Sequence, residues 1–320
     1  MRGLWVAEIA LVSPLGLSPS EHVFFARAEV SPHASGAFTD AEGESLPIHD
    51  CPWIPASRPW ASRVRLLARQ ALARARPSAK QTPVLLVTSA EAANDAEIEP
   101  FVRAGGARVE ACHLGSAAYV SALQRAQELL ETEDEVVVLA VDSLLSRPVL
   151  ERWARQRHST FTRNPLPPSE GAAAMRLVRA RRGPLVGKIH AFAAAASAAT
   201  DENDTPADGV ALSRAFAELG LPPRVDLVVG PRDLDTLRTR DFHLAALRHH
   251  AAIDGAEMPR FEGRIGLFGS AAGLMDAVFV LASLRHGPAA SAPGARRLGL
   301  AWARSAGGLV GASLLGDERS

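Results

Sequence analysis

The run Glu135-Val136-Val137-Val138-Leu139-Ala140-Val141 constrains this chain most. It is β-branched and apolar without alternation, so as a strand it must be buried on both faces. A sheet covered on both faces needs helices on either side. The neighbouring segments supply them. Residues 83–88 are a second short β-branched run. A helical pattern begins at or just after Cys112, past a Gly105-Gly106 turn. Val120, Leu123, Ala126, Leu129 and Leu130 recur in it at near-helical spacing. Strand, helix and strand in this order predict a parallel α/β unit.

The rest of the chain repeats this grammar. Residues 5–12 read as a first buried strand closed by Ser13-Pro14-Leu15-Gly16, and a helix starts at Pro19. Residues 31–60, rich in Pro, Gly, Ser and Asp, read as an irregular excursion. Residues 62–76 form an arginine-rich amphipathic helix whose charges line a solvated face. A second series follows. Residues 172–178, 185–194 and 225–229 are strands, 201–208 an acidic loop, 210–219 a helix, 269–284 an apolar helix, and 298–315 two strands around Gly307-Gly308. Both series hold a strand, a glycine-bearing turn and a small-residue helix, near 112–130 and 269–284. That pattern predicts duplicated halves, divided as 1–180 and 181–320.

Composition removes several function classes. Lys+Arg and Asp+Glu are both 35, so the net charge is zero and a broad nucleic-acid or membrane surface is not expected. Aromatic content of 5% argues against a base-stacking platform. Cys51 and Cys112 make no disulfide scaffold and no CxxC pair. The N-terminus lacks a signal-peptide pattern, and no apolar run is long enough for a membrane span, so a cytoplasmic protein is expected. There is no P-loop, no HExxH, no zinc-spaced cluster and no dinucleotide fingerprint, and no metal or cofactor is expected. His249 and His250 point about 100° apart on a helix and serve surface or packing roles.

Cys112 is the candidate nucleophile. A thiol at a helix start feels the positive end of the helix dipole, which favours the thiolate. The plain alternative is a small buried hydrophobe. His113 follows it directly and on a helix would point away from the thiol.

Several segments, in order across most of the chain, resemble the thiolase superfamily and its β-ketoacyl synthase branch. Ile9-Ala10-Leu11-Val12-Ser13-Pro14-Leu15-Gly16 is similar to that family's opening strand and turn. Ala111-Cys112-His113-Leu114-Gly115-Ser116-Ala117 resembles its nucleophile segment, and Glu135 to Ser143 the strand after it. Arg163-Asn164-Pro165 with Ser169-Glu170-Gly171-Ala172-Ala173-Ala174 resembles its Gly-Glu-Gly-Ala-Ala stretch. Gly269-Ser270-Ala271-Ala272-Gly273, ending at Leu284-Arg285-His286-Gly287, resembles its Gly-Ala-Ala-Gly helix. Ser305-Ala306-Gly307-Gly308-Leu309-Val310-Gly311 resembles its last glycine-rich loop. The resemblance implies an α/β, thiolase-like fold of two αβαβα-type halves sharing one core, assembled as a homodimer or heterodimer. It implies an oxyanion or acyl-pocket loop at Gly307 and Gly308.

The departures from the family pattern bear on function. A condensing ketosynthase needs two histidines beside its cysteine, to polarise the malonyl thioester and stabilise the oxyanion. Pro231 stands where the first is expected and Leu267 where the second is expected, and neither side chain hydrogen-bonds. His243 lies about a dozen positions from the first site and would serve only if the loop were rebuilt. Ser305 falls where thiolases carry a second cysteine. The reading that follows is a non-condensing structural, partner or adaptor subunit, with chain-length-factor subunits as an imperfect parallel. Its partner would be a ketosynthase-like or other protein. The alternative is a Cys112-dependent acyltransferase or thioester hydrolase acting on acyl-CoA or acyl-carrier thioesters. An acyl site would leave a cavity beside Cys112, faced by the Gly307-Gly308 loop. A site without chemistry would be filled by Leu267, Phe268 and Leu309.

Overall fold

In the computed structural model, residues 3–32, 36–78, 81–94, 102, 107–159, 166–181, 183–197, 208–231, 236–286, 297–305 and 307–317 are described. The expected segments 163–165, 201–207 and 232–235, the Gly105-Gly106 turn, Gly287 and Ala306 lie outside them. The strands are β1 (Leu4–Val12), β2 (Gly36–Thr39), β3 (Ser45–Ile48), β4 (Thr82–Thr88), β5 (Ala107–Leu114), β6 (Glu135–Ser143), β7 (Glu170–Val178), β8 (Gly187–Ala196), β9 (Leu227–Val229), β10 (Leu298–Arg304) and β11 (Leu309–Gly316). The helices that matter here are α1 (Pro19–Arg27), α2 (Trp60–Ala75), α3 (Tyr119–Leu129), α4 (Val210–Glu218), α5 (Thr236–Arg248), α6 (Phe261–Ile265) and α7 (Ala272–His286).

Nine strands hydrogen-bond in the order β5-β4-β6-β7-β1-β8-β11-β10-β9. Strand β1 meets β8 through only three residue pairs, Leu4 to Val6 against Ile189 to Gly187. Outward from that junction the two arms repeat one pattern. In the first, β1–β7 and β7–β6 are antiparallel and β6–β4 is parallel. In the second, β8–β11 and β11–β10 are antiparallel and β10–β9 is parallel. The first arm carries one further parallel strand, β5, at its edge.

The core falls into layers. Helices α3 and α7 share one apolar cluster with inner-face residues of both arms, including Val136, Val138, Ala140, Ala301 and Ala303. The opposite face of β6, Val137, Leu139 and Val141, packs on α2. The outer face of the second arm, with Leu300, Ala312 and Leu314, packs on α4 and α5. Alternate residues of β6 therefore enter different clusters, which is why its sequence shows no alternation. Helix α7 is buried from Ala272 through Leu284 and, apart from Asp276 and Ser283, is apolar on all sides because it lies between the arms. The order is helix, sheet, helices, sheet, helices.

Two sequence expectations change. The 31–60 stretch contains a regular hairpin, β2 against β3. The arginine face of α2 is not wholly solvated, since Arg63 is buried. Its Nε donates to Glu170 Oε2 at 2.9 Å, and the backbone N–H of Cys51 donates to Glu170 Oε1 at 2.8 Å. The Ser143 hydroxyl donates to the same carboxylate at 3.1 Å. One buried carboxylate at the start of β7 thus ties α2, β6 and the segment after the hairpin together. Periodicity could not reveal this because the acid lies 107 residues from the arginine.

Candidate functional site

The turn from β5 into α3 lies at Gly115 and Ser116. Gly115 has φ +92°, a left-handed value suited to glycine. Ser116 to Ala118 form a 3-10 turn that continues into α3. The space around it is closed. A Cβ on Gly115 would lie 2.7 Å from Ser305 Oγ, and one on Gly273 would lie 2.2 Å from the Ser116 carbonyl oxygen. The hydrogen bonds are closed too. The Ser116 hydroxyl donates to the Arg304 carbonyl at 2.8 Å, and the Ala117 N–H donates to Ser305 Oγ at 2.9 Å. Below the turn, the buried Tyr119 hydroxyl bonds to the Ala301 carbonyl and to Ser313 Oγ.

The second arm shows the reciprocal arrangement. Gly269, at φ +54°, opens a 3-10 turn into α7, and the Ser270 N–H donates to Asp142 Oδ2 at 2.8 Å. Asp142 lies near the end of β6, while Ser305 directly follows β10, and these strands hold corresponding places in the two arms. Each arm therefore supplies the oxygen that caps the central helix of the other. Burial holds the Asp142 carboxyl above its ordinary range, against the N–H donors of Ser270 and Ser143 and the Ser89 hydroxyl, while Glu91 adds to the rise.

Cys112 is not at a helix start. It lies within β5, opposite Leu86 of β4, and is exposed on the edge strand. Gly115 is three extended residues, about 10 Å, further on. A helix dipole acts within its first turn, so it does not reach this thiol. Residues Arg108, Cys112 and Leu114 are exposed, whereas Val109, Glu110, Ala111 and His113 are partly covered. The apolar series beginning at Val120 drew the helix boundary too early. On a strand, His113 faces away from Cys112. Its Nε2 is buried without a hydrogen-bond partner, and burial lowers its pKa.

The other candidates take separate places. Pro231 is buried just after β9. Beside it, a Cβ on Gly230 would lie 2.3 Å from Trp302 Nε1, and the Trp302 indole stacks on Phe242 at 5.6 Å. Leu267 is half-buried. Its N–H donates to the Pro167 carbonyl, and its carbonyl accepts from the Ser169 N–H, both at 2.9 Å. Phe268 is buried and stacks on Phe261. An imidazole does reach this segment, since His49 Nδ1–H donates to the Ile265 carbonyl at 2.7 Å. His243 is exposed on α5 against the edge of Phe242. Gly307 is exposed with open space around it, whereas Gly308 is buried at φ +79°. The Gly308 N–H donates to the Ser305 carbonyl at 3.0 Å. The loop meets the Gly115-Ala117 turn through Ser305. Sequence reasoning missed Ser116, Asp142 and His49, although the glycine before Ser116 was a usable signal. Among the described residues no three His, Cys, Asp or Glu side chains are grouped to hold a metal, and no helix is long and apolar enough to cross a membrane.

Neither a protein-family profile nor a curated protein matches the sequence. Solved structures do match in fold. The ishigamide ketosynthase/chain length factor aligns over 98% of this chain and 99% of its own, with 18% identity and a TM-score of 0.73. A chain of AntDE:AntF, a type II PKS acyl-carrier protein in complex with its ketosynthase, aligns over 98% of this chain and 99% of its own, with 16% identity and a TM-score of 0.74. The module 6 ketosynthase of the bacillaene synthase from Bacillus subtilis 168 aligns over 99% of this chain and 72% of its own, with 14% identity and a TM-score of 0.72. The chain has the thiolase-like fold of ketosynthases and chain length factors.

Proposed function

We propose that this chain is a ketosynthase-like protein that does not condense, and that it serves as a structural, partner or adaptor subunit. The observation that carries this is the closed turn at Ser116. Acyl transfer needs a nucleophile with a base and a backbone donor left open for the developing oxyanion. Here the Ser116 hydroxyl is spent on the Arg304 carbonyl and the Ala117 N–H on Ser305 Oγ. Losing one such donor costs about 3–4 kcal/mol of transition-state stabilisation. Pro231 and Leu267, standing where the resemblance expects the two histidines, supply no acid or base.

The partner reading draws on the neighbours, which include a ketosynthase/chain length factor and a ketosynthase bound to a carrier protein. Strand β5 offers an edge, since β4 is its neighbour on one side only in the strand order. Homodimer or heterodimer pairing through that edge would bury Cys112 and Leu114. We read the two arms as duplicated halves divided near residue 180. Cys112-dependent acyl transfer is the weaker alternative, because its thiol stands apart from the capped turn.

Intact-mass spectrometry after incubation with acetyl-, malonyl- and long-chain acyl-coenzyme A tests the proposal, with Cys112→Ala and Ser116→Ala alongside. No adduct is expected on folded protein. A wild-type adduct that disappears in Cys112→Ala would overturn the non-condensing reading in favour of the transferase.

A further inference from the structure

We draw no further inference here: the strongest candidate, the cleft between the C-terminal end of α1, the residues leading into α6, and α7, carries nothing, because its Arg27 and Arg264 are matched by Glu29 and Glu257, its Arg260 already has a partner, and nothing in the structure shows what covers it.

Discussion

Ser305 Oγ accepts the Ala117 N–H at 2.9 Å, joining a loop of the second arm to the first turn of the first arm's central helix. The residues are 188 positions apart. Asp142 returns the contact by capping Ser270 at the start of α7. The contact at Ser305 does the work of an N-cap.

Ser305→Ala should cost about 1 kcal/mol, the usual worth of a cap, because the Ala117 N–H loses its acceptor. Urea denaturation reads this directly. Gly115→Ala should cost more, since it adds a Cβ 2.7 Å from Ser305 Oγ at a left-handed backbone position. A stability equal to wild type in both variants would refute the closed-turn description.

His22 gives the fold an acid-sensitive point. Its ring is buried, with Nδ1–H donating to the Ser18 carbonyl and Nε2 accepting from the Ser13 hydroxyl, both at 2.7 Å. Burial lowers its pKa to about 4, against the opposing pulls of the Ser18 hydrogen bond and of Glu21. The unfolded chain therefore takes up this proton first. Stability from neutral His22 is full above about pH 6.5 and is lost as pH falls toward 4, by about 3 kcal/mol. His22→Gln should flatten that part of the pH–stability curve, as measured by chemical denaturation at stepped pH.

Arg63→Ala should destabilise by about 3–5 kcal/mol, because Glu170 would remain as a buried charge without its guanidinium. Limited proteolysis should show faster cleavage near residues 49–55, where Glu170 holds the Cys51 N–H and Arg63 holds the Pro55 carbonyl. Unchanged stability would mean that the other hydrogen bonds to Glu170 suffice.

The two thiols should separate cleanly with a thiol reagent. Cys112 is exposed in the single chain and should react in the folded, unpaired protein. Cys51 is buried, and burial together with the Glu170 carboxylate pushes its thiol pKa up, so it should react only after unfolding. Cys112→Ala should abolish the fast phase and change stability by less than about 0.5 kcal/mol. Two fast thiols would contradict this burial pattern.

Much of the architecture was legible because burial on two faces leaves a mark in composition. The β6 run announces a covered sheet, and the 272–284 stretch, apolar but for Asp276 and Ser283, announces a helix between layers. The site was harder to read. Cys112 invites a nucleophile reading by residue type, yet whether a residue ends a strand or starts a helix is settled within two or three positions. Gly115 sets that boundary here through its left-handed backbone.

The sequence by itself determined the α/β class, the order of most elements and the residues standing at Pro231 and Leu267, since these follow from local pattern and identity. Only the tertiary structure decided that Cys112 lies on an edge strand, that Ser305 and Asp142 cap helices of opposite arms, that Glu170 gathers Arg63 and Cys51, and that Arg27, Arg260 and Arg264 share one cleft with Glu29. The reason is physical. Burial periodicity is written into neighbouring residues, whereas a hydrogen bond or ion pair between residues a hundred or more positions apart is fixed only when packed layers bring two distant turns together.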